Sequence, residues 1–156
     1  MAPKPLPARS VLLPDAQTVY PKPFASSVDG REKRKLGDHF GLSNFGINHT
    51  TLAPGAISAL FHHHSRQDEF IYILEGTATL IHGDDEYLMS PGDCMGFKAG
   101  SGVASQVINR SSEPMAYLEA GDRTMADQVE YPNDDLKAAL QENGVWLFTH
   151  KDGHPY

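Results

Sequence analysis

The sequence predicts an all-β domain of the small-barrel or double-sheet jelly-roll type. From Gly41 onward, short apolar runs of strand-like composition alternate with turn signals such as Pro54-Gly55, Glu75-Gly76 and Pro91-Gly92. The runs recur at regular spacing, as in barrels and jelly rolls rather than in βαβ units. The length of 156 residues suits one domain with a real core.

The chain divides into an arm and a domain. Residues 1–35 are rich in proline and charge, and we expect an extended arm that is either disordered or docked on a neighbouring surface. Residues 36–156 are expected to form the single domain. Its predicted strands are Phe45–Leu52, Ala56–His64, Glu69–Leu74, Thr77–His82, Glu86–Met89, Cys94–Lys98, Ala104–Asn109, Met115–Ala120 and Val145–Thr149. A short C-terminal helix is predicted at Asp134–Glu142, between Pro132-Asn133 and Asn143-Gly144.

Composition narrows the possible partners and the compartment. A formal net charge of −7 makes nucleic acid and anionic membranes poor partners, which leaves small molecules as the expected ligands. The single cysteine, Cys94, excludes an intrachain disulfide and fits a reducing compartment. We find neither a signal-peptide pattern nor an apolar run of membrane-spanning length, so a soluble cytoplasmic protein is expected.

The stretch FHHHSRQDEFIYILEG contains the strongest functional signal. Side chains alternate faces along a strand, so His62 and His64 would project together while His63 points away. Glu69 would begin an antiparallel strand that can lie beside the first. Two imidazoles and one carboxylate could then converge on a divalent metal ion such as Zn, Mn, Fe or Ni.

These residues also resemble the first motif of the cupin superfamily, G-x5-H-x-H-x(3,4)-E-x6-G. The matching positions are Gly55, His62, His64, Glu69 and Gly76, with one extra residue before His62. The second motif, G-x5-P-x-G-x2-H-x3-N, is present in degraded form, and its matching positions are Gly92, Gly100 and Asn109. The resemblance implies a double-stranded β-helix, the cupin jelly-roll barrel, with a metal in its mouth and assembly as a homodimer.

One expected ligand is missing from the second motif. Metal-binding cupins usually place a third histidine four residues before the asparagine, and here that position is Ser105. Three outcomes stay open: a site of His62, His64 and Glu69 alone, like that of non-haem iron oxygenases; a substitute ligand, for which His49 is the stronger candidate and Gln106 the weaker; or loss of the metal.

The leading hypothesis is a metal-assisted enzyme, of isomerase or lyase type, acting on a small sugar-like or hydroxy-acid-like molecule. His49 is the candidate base if it points inward, while Ser105 or a tyrosine such as Tyr72 would orient the substrate. The segment LEAGDRTMADQVEYPNDDL resembles single-domain bacterial cupins, some of which are labelled sugar-phosphate isomerases. The alternatives are a binding or sensing module that lost its metal, and a non-haem iron oxygenase.

Overall fold

A computed structural model describes residues 3–156. Its strands are β1 Arg31–Lys35, β2 Phe45–Leu52, β3 His63–His64, β4 Glu69–Glu75, β5 Ala78–His82, β6 Asp85–Met89, β7 Cys94–Phe97, β8 Ser105–Ile108, β9 Met115–Asp122, β10 Gln128–Tyr131, β11 Leu136–Leu140 and β12 Trp146–Thr149. A short helix, α1, covers Leu36–His39, and single turns of 3-10 helix cover Ala8–Ser10 and Phe24–Val28. The predicted all-β fold is confirmed.

The strands form antiparallel sheets arranged as a jelly roll. One sheet has the order β1-β2-β9-β4-β7, a second β12-β11-β10-β3, and a third β6-β5-β8. Isolated bridges connect β8 of the third sheet to Ile57 and to His62, the residue just before β3 of the second sheet. His62 and Ser105 therefore lie at the junction of two sheets, where irregular pairing leaves room for side chains to converge.

Two apolar clusters form the core. The larger lies between the sheets and includes Leu52, Ile73, Leu80 and Tyr117. The smaller lies under β10–β12, includes Val129 and Leu136, and is covered by partly buried aromatic side chains from the N-terminal segment and from β12. Buried residues of this sheet alternate with exposed ones such as Glu130 and Lys137, so one face of β10–β12 is buried against the N-terminal segment and the other is exposed.

Gly76 makes the turn between β4 and β5 possible. Its φ is +74°, in the left-handed region that favours glycine. A Cβ built there would lie 2.8 Å from Met115 Cβ and 2.9 Å from the Pro114 carbonyl oxygen. The close approach of two backbones therefore adds to the requirement for glycine.

The predicted C-terminal helix is wrong. Residues 136–140 form β11, which pairs with β10 on one side and β12 on the other. Leu136 and Ala138 are buried while Lys137 is exposed, so burial has the period of a strand. Helix-favouring composition is a weak preference, and ladder pairing on both sides overrides it.

Two other sequence predictions also need correction. The arm expected over residues 1–35 ends in strand β1, whose five residues pair with β2. The strand expected at Ala56–His64 is mostly irregular, and only His63–His64 forms a strand, paired with β10. Across residues 3–156, no helix combines the length and the apolar character needed to cross a membrane.

Candidate metal centre

His62, His64 and Glu69 meet as the sequence predicted. Glu69 Oε2 lies 3.8 Å from His62 Nε2 and 3.7 Å from His64 Nε2. One potential ligand atom from each residue lies within 4.8 Å of the others. Zinc bonds to nitrogen and oxygen are about 2.1 Å long, so two ligands of one ion lie at most about 4.2 Å apart. Both histidine–glutamate distances meet this limit, and the donor set suits a first-row divalent cation.

The backbone of the His62 segment sets its ring orientation. His62 Nδ1 donates to the Leu60 carbonyl oxygen at 2.7 Å, because a carbonyl can only accept. The proton therefore lies on Nδ1, and the lone pair of Nε2 is free to bind a metal. Burial, opposed by the charge of Glu69, lowers the pKa of His62, which favours the neutral ring that a metal requires.

The carboxylate of Asp127 sets the ring orientation of His64. His64 Nδ1 donates to Asp127 Oδ2 at 2.5 Å, and the Asp127 side chain is fully buried. Asp127 Oδ1 also accepts from the Arg66 amide at 2.7 Å and the Ser65 hydroxyl at 3.1 Å. This is the carboxylate–histidine arrangement that orients metal ligands in proteins. Sequence reasoning missed Asp127, since it follows His64 by 63 positions and lies just before a strand that was not predicted.

The pKa values of this pair follow from their contacts. Burial, the largest influence, disfavours the charged form of His64, but the hydrogen bond to Asp127 and the charge of Glu69 raise its pKa overall. Burial likewise acts to raise the pKa of Asp127, and the contacts with His64 and the Arg66 amide outweigh it, so that pKa is lowered. Asp127 is thus ionised at neutral pH and accepts the hydrogen bond from His64.

The side chains of His62, His64 and Glu69 lie at the wall of a cavity of 510 Å³. Ser105, as predicted, lines this cavity, and its backbone forms the bridge with His62. Tyr20, Tyr117, Tyr131 and Glu119 also line the cavity. Tyr131 stacks on the His62 ring at a centroid distance of 5.8 Å. The arrangement provides polar groups for a small hydroxylated ligand beside a metal site.

Two of the predicted catalytic residues do not lie at this site. On β2, Asn48 lines the cavity, so alternation turns the adjacent His49 to the opposite face, where burial and then the charges of Arg9 and Arg34 lower its pKa. Within residues 3–156, His49 Nδ1 has no hydrogen-bond partner. Tyr72 is 40% exposed between the buried Ile71 and Ile73, so it faces outward from β4. The expected inward orientation of His49 is therefore wrong.

Residues 48–121 match the family model of the cupin domain. A solved structure from Silicibacter pomeroyi, described as a sugar phosphate isomerase from a cupin superfamily, is 39% identical, with a TM-score of 0.90 over 99% of this chain and 96% of that one. The chain therefore belongs to the cupin superfamily. Within the superfamily it is a small single-domain cupin, as the near-complete mutual coverage indicates.

Two further solved structures are similar. A candidate sugar phosphate isomerase from Acidithiobacillus ferrooxidans is 32% identical, with a TM-score of 0.72 over 81% of this chain and 80% of that one. The polyketide cyclase RemF from Streptomyces resistomycificus, at 17% identity and a TM-score of 0.61 over 76% of this chain and 78% of that one, shares the fold alone. A comparison with curated protein sequences finds no match.

Proposed function

We propose that this cupin is a metal-dependent isomerase of a small sugar-like molecule that carries a carbonyl beside a hydroxyl group. The observation that carries the proposal is the cluster of His62, His64 and Glu69 at the wall of a 510 Å³ cavity. The names of the two similar solved structures, both described as sugar phosphate isomerases, support the choice of reaction. Because a shared fold does not imply a shared reaction, the site must be tested directly.

The bound cation would supply Lewis-acid polarisation of a carbonyl or hydroxyl oxygen. The two imidazoles and the Glu69 carboxylate would hold it, and the contacts of Leu60 and Asp127 with Nδ1 leave Nε2 of each ring to face the cation. The Ser105 hydroxyl and the hydroxyls of the cavity tyrosines would orient the substrate through hydrogen bonds.

An isomerase of this type must move a proton between adjacent carbon atoms. Glu119 is the carboxylate in the described cavity wall that remains once Glu69 is assigned to the metal. Burial acts to raise the pKa of Glu119, but the charge and hydrogen bond of Lys33 and the amide of Asn48 lower it overall. The carboxylate is therefore ionised at neutral pH, and Glu119 is the proposed proton acceptor in place of His49.

Elemental analysis of protein purified without added metal tests the site. Wild type is expected to contain one equivalent of a transition metal, and His62→Ala and Glu69→Ala are expected to lose it. His63→Ala is the matched control, because His63 points away from the cluster and lies 3.9 Å from Glu130 instead. A metal-free wild type would contradict the proposal and favour a binding or sensing module, and full occupancy in both variants would contradict the proposed metal ligands.

Isotope exchange tests the reaction. In heavy water, an isomerase should incorporate deuterium at the carbon beside the carbonyl of an aldose or ketose phosphate, measured by NMR. Incorporation should fall strongly in Glu119→Gln and in the metal-free variants. Failure to exchange with every compound of a broad panel of such phosphates would reject the isomerase assignment.

A non-haem iron oxygenase is the second candidate, and its support is the donor set itself, two histidines and one carboxylate. That activity would require Fe(II) and would consume oxygen in proportion to substrate. Turnover under nitrogen with Zn or Mn would exclude it.

A further inference from the structure

Strand β1 presents a row of cations to the cavity. Arg31, Lys33 and Lys35 line it, while the alternating Glu32 and Arg34 point to the other face and contact each other at 3.1 Å. We propose that this row, the β1 cation row, binds the phosphate group of a phosphorylated substrate. The proposal deepens the proposed isomerase function and rests on it for the identity of the substrate, but phosphate binding can be measured without turnover.

Arg31 gives the strongest support. Only 8% of it is exposed, and its Nη1 and Nη2 donate to the carbonyl oxygens of Ser58 at 2.5 Å and Gln17 at 2.7 Å. Those carbonyls hold the guanidinium in place without neutralising it. In the part of the chain that the structure describes, Nε has no hydrogen-bond partner and no carboxylate forms a salt bridge with Arg31. Glu119 interacts with Arg31 only through space, so an anion bound in the cavity would supply the direct partner that this buried cation lacks.

The charges of the neighbouring residues favour a dianion. Lys33 Nζ lies 2.5 Å from Glu119 Oε1, so one lysine charge is balanced. Asn48 Nδ2 donates to the same oxygen at 2.9 Å and fixes the pair. Lys35 is exposed at the rim, and among residues 3–156 it forms no salt bridge. Two positive charges therefore remain, which matches a phosphate monoester of charge roughly −1.5 to −2 at neutral pH.

Strand order places the β1 cation row and the metal site at opposite sides of one cavity. Lys35 pairs with Asn48, Asn48 with Glu119, and Glu119 with Ile71, two residues from Glu69. Adjacent strands lie about 4.8 Å apart, so the backbones of β1 and β4 are separated by about 14 Å. A phosphorylated substrate can extend from the cations towards the metal, and its reacting carbons would then lie beside Glu119, on the strand between.

Calorimetric titration of the full chain with inorganic phosphate tests the β1 cation row. Wild type should bind phosphate saturably, and Lys35→Gln should bind it roughly tenfold or more weakly, because a charge-assisted contact is lost. Lys137→Gln is the matched control, since Lys137 is exposed on β11 and carries the same charge change. Arg31→Gln should lose more phosphate affinity than Lys35→Gln, and its melting temperature shows whether the variant is folded. Since Arg31 is buried, the exposed Lys35 keeps the test decisive if that variant fails to fold.

The His62→Ala variant separates this proposal from the proposed function. This substitution removes one of the three proposed metal-binding side chains and leaves the β1 cation row unchanged. Phosphate should therefore still bind with an affinity within about threefold of wild type. Loss of phosphate binding in His62→Ala, with binding retained in Lys35→Gln, would locate the anion on the metal and overturn the proposal. Absence of binding to wild type would also overturn it. Neither result would alter the metal content, on which the proposed function depends.

Discussion

At the scale of single residues, the Nδ1 atoms of the two histidines decide how the cluster can bind. Each is used as a donor, to a carbonyl for His62 and to Asp127 for His64, so Nε2 is the atom that each ring can offer to a metal ion. The alternation of His62 and His64, with Glu69 close behind, was enough to predict the ligands from sequence. The residue that orients His64 could not be predicted, since it depends on a contact made 63 positions away.

We expect Asp127→Asn to weaken metal binding by roughly 10- to 100-fold, the usual effect of losing a carboxylate behind a metal-bound histidine. An asparagine amide keeps the shape of the side chain but not its charge. The affinity can be measured by competition with a chromogenic chelator. Asp84→Asn, in the exposed turn between β5 and β6, is the control and should bind metal like wild type. Unchanged affinity in a folded Asp127→Asn variant would refute the orienting role.

At the scale of elements, local sequence predicted best the strands that lie between strong turn signals. The segment Phe45–Leu52 was predicted with its observed bounds, because its composition is that of a strand and the Pro54-Gly55 turn signal follows it. Strand β1, with the sequence REKRK, has no apolar residue, so its pairing with β2 gives no local signal. The same property makes it informative about function, since charged side chains on a cavity-facing strand need a polar ligand or partner.

We expect Gly76→Ala to destabilise the fold more than Gly55→Ala. Both positions have positive φ, +74° and +81°, so both variants carry the left-handed penalty of about 1–2 kcal/mol. Only at Gly76 would the new Cβ meet backbone atoms at 2.9 Å, and we expect about 1–3 kcal/mol more for that overlap. Urea unfolding gives both free energies of unfolding. Equal decreases in the free energy of unfolding would show that the turn at Gly76 relaxes to accommodate the added methyl group.

At the scale of the whole molecule, the cavity is assembled from parts of the chain that are distant in sequence. The metal ligands come from residues 62–69, the cations from β1, Glu119 from β9, and part of the wall from residues 14–20. The jelly roll itself follows from regularly spaced strands and turns, so it could be predicted. Residues before β1 lie on a surface of their own chain, and that surface belongs to the cavity.

The ion pair between Glu119 and Lys33 should contribute to stability in a pH-dependent manner. The pKa of Glu119 is lowered in the folded protein from an ordinary value of 4.5. The stabilisation is therefore fully present above the ordinary pKa and is lost as pH falls through the lowered one. We expect Glu119→Gln to unfold more readily than wild type at pH 7, with the difference shrinking below about pH 4.

Urea unfolding at a series of pH values measures this difference. Glu113→Gln is the control, because Glu113 is exposed and its removal should leave the pH dependence close to that of wild type. A constant gap between wild type and Glu119→Gln from pH 7 to pH 3 would contradict the assignment of this pair.

The aromatic contacts of the N-terminal segment also bear on the order of events during synthesis. Tyr20 packs edge-on against Phe148 at 5.9 Å, and Phe24 against Tyr156 at 5.5 Å. Tyr20 and Phe24 are therefore synthesised long before their partners, contrary to the usual progression of folding from the N-terminus. We expect stalled nascent chains ending before Trp146 to be cut by chymotrypsin at Tyr20, and released chains to resist. Resistance of the stalled chains to chymotrypsin would mean that the N-terminal segment first docks on another part of the protein.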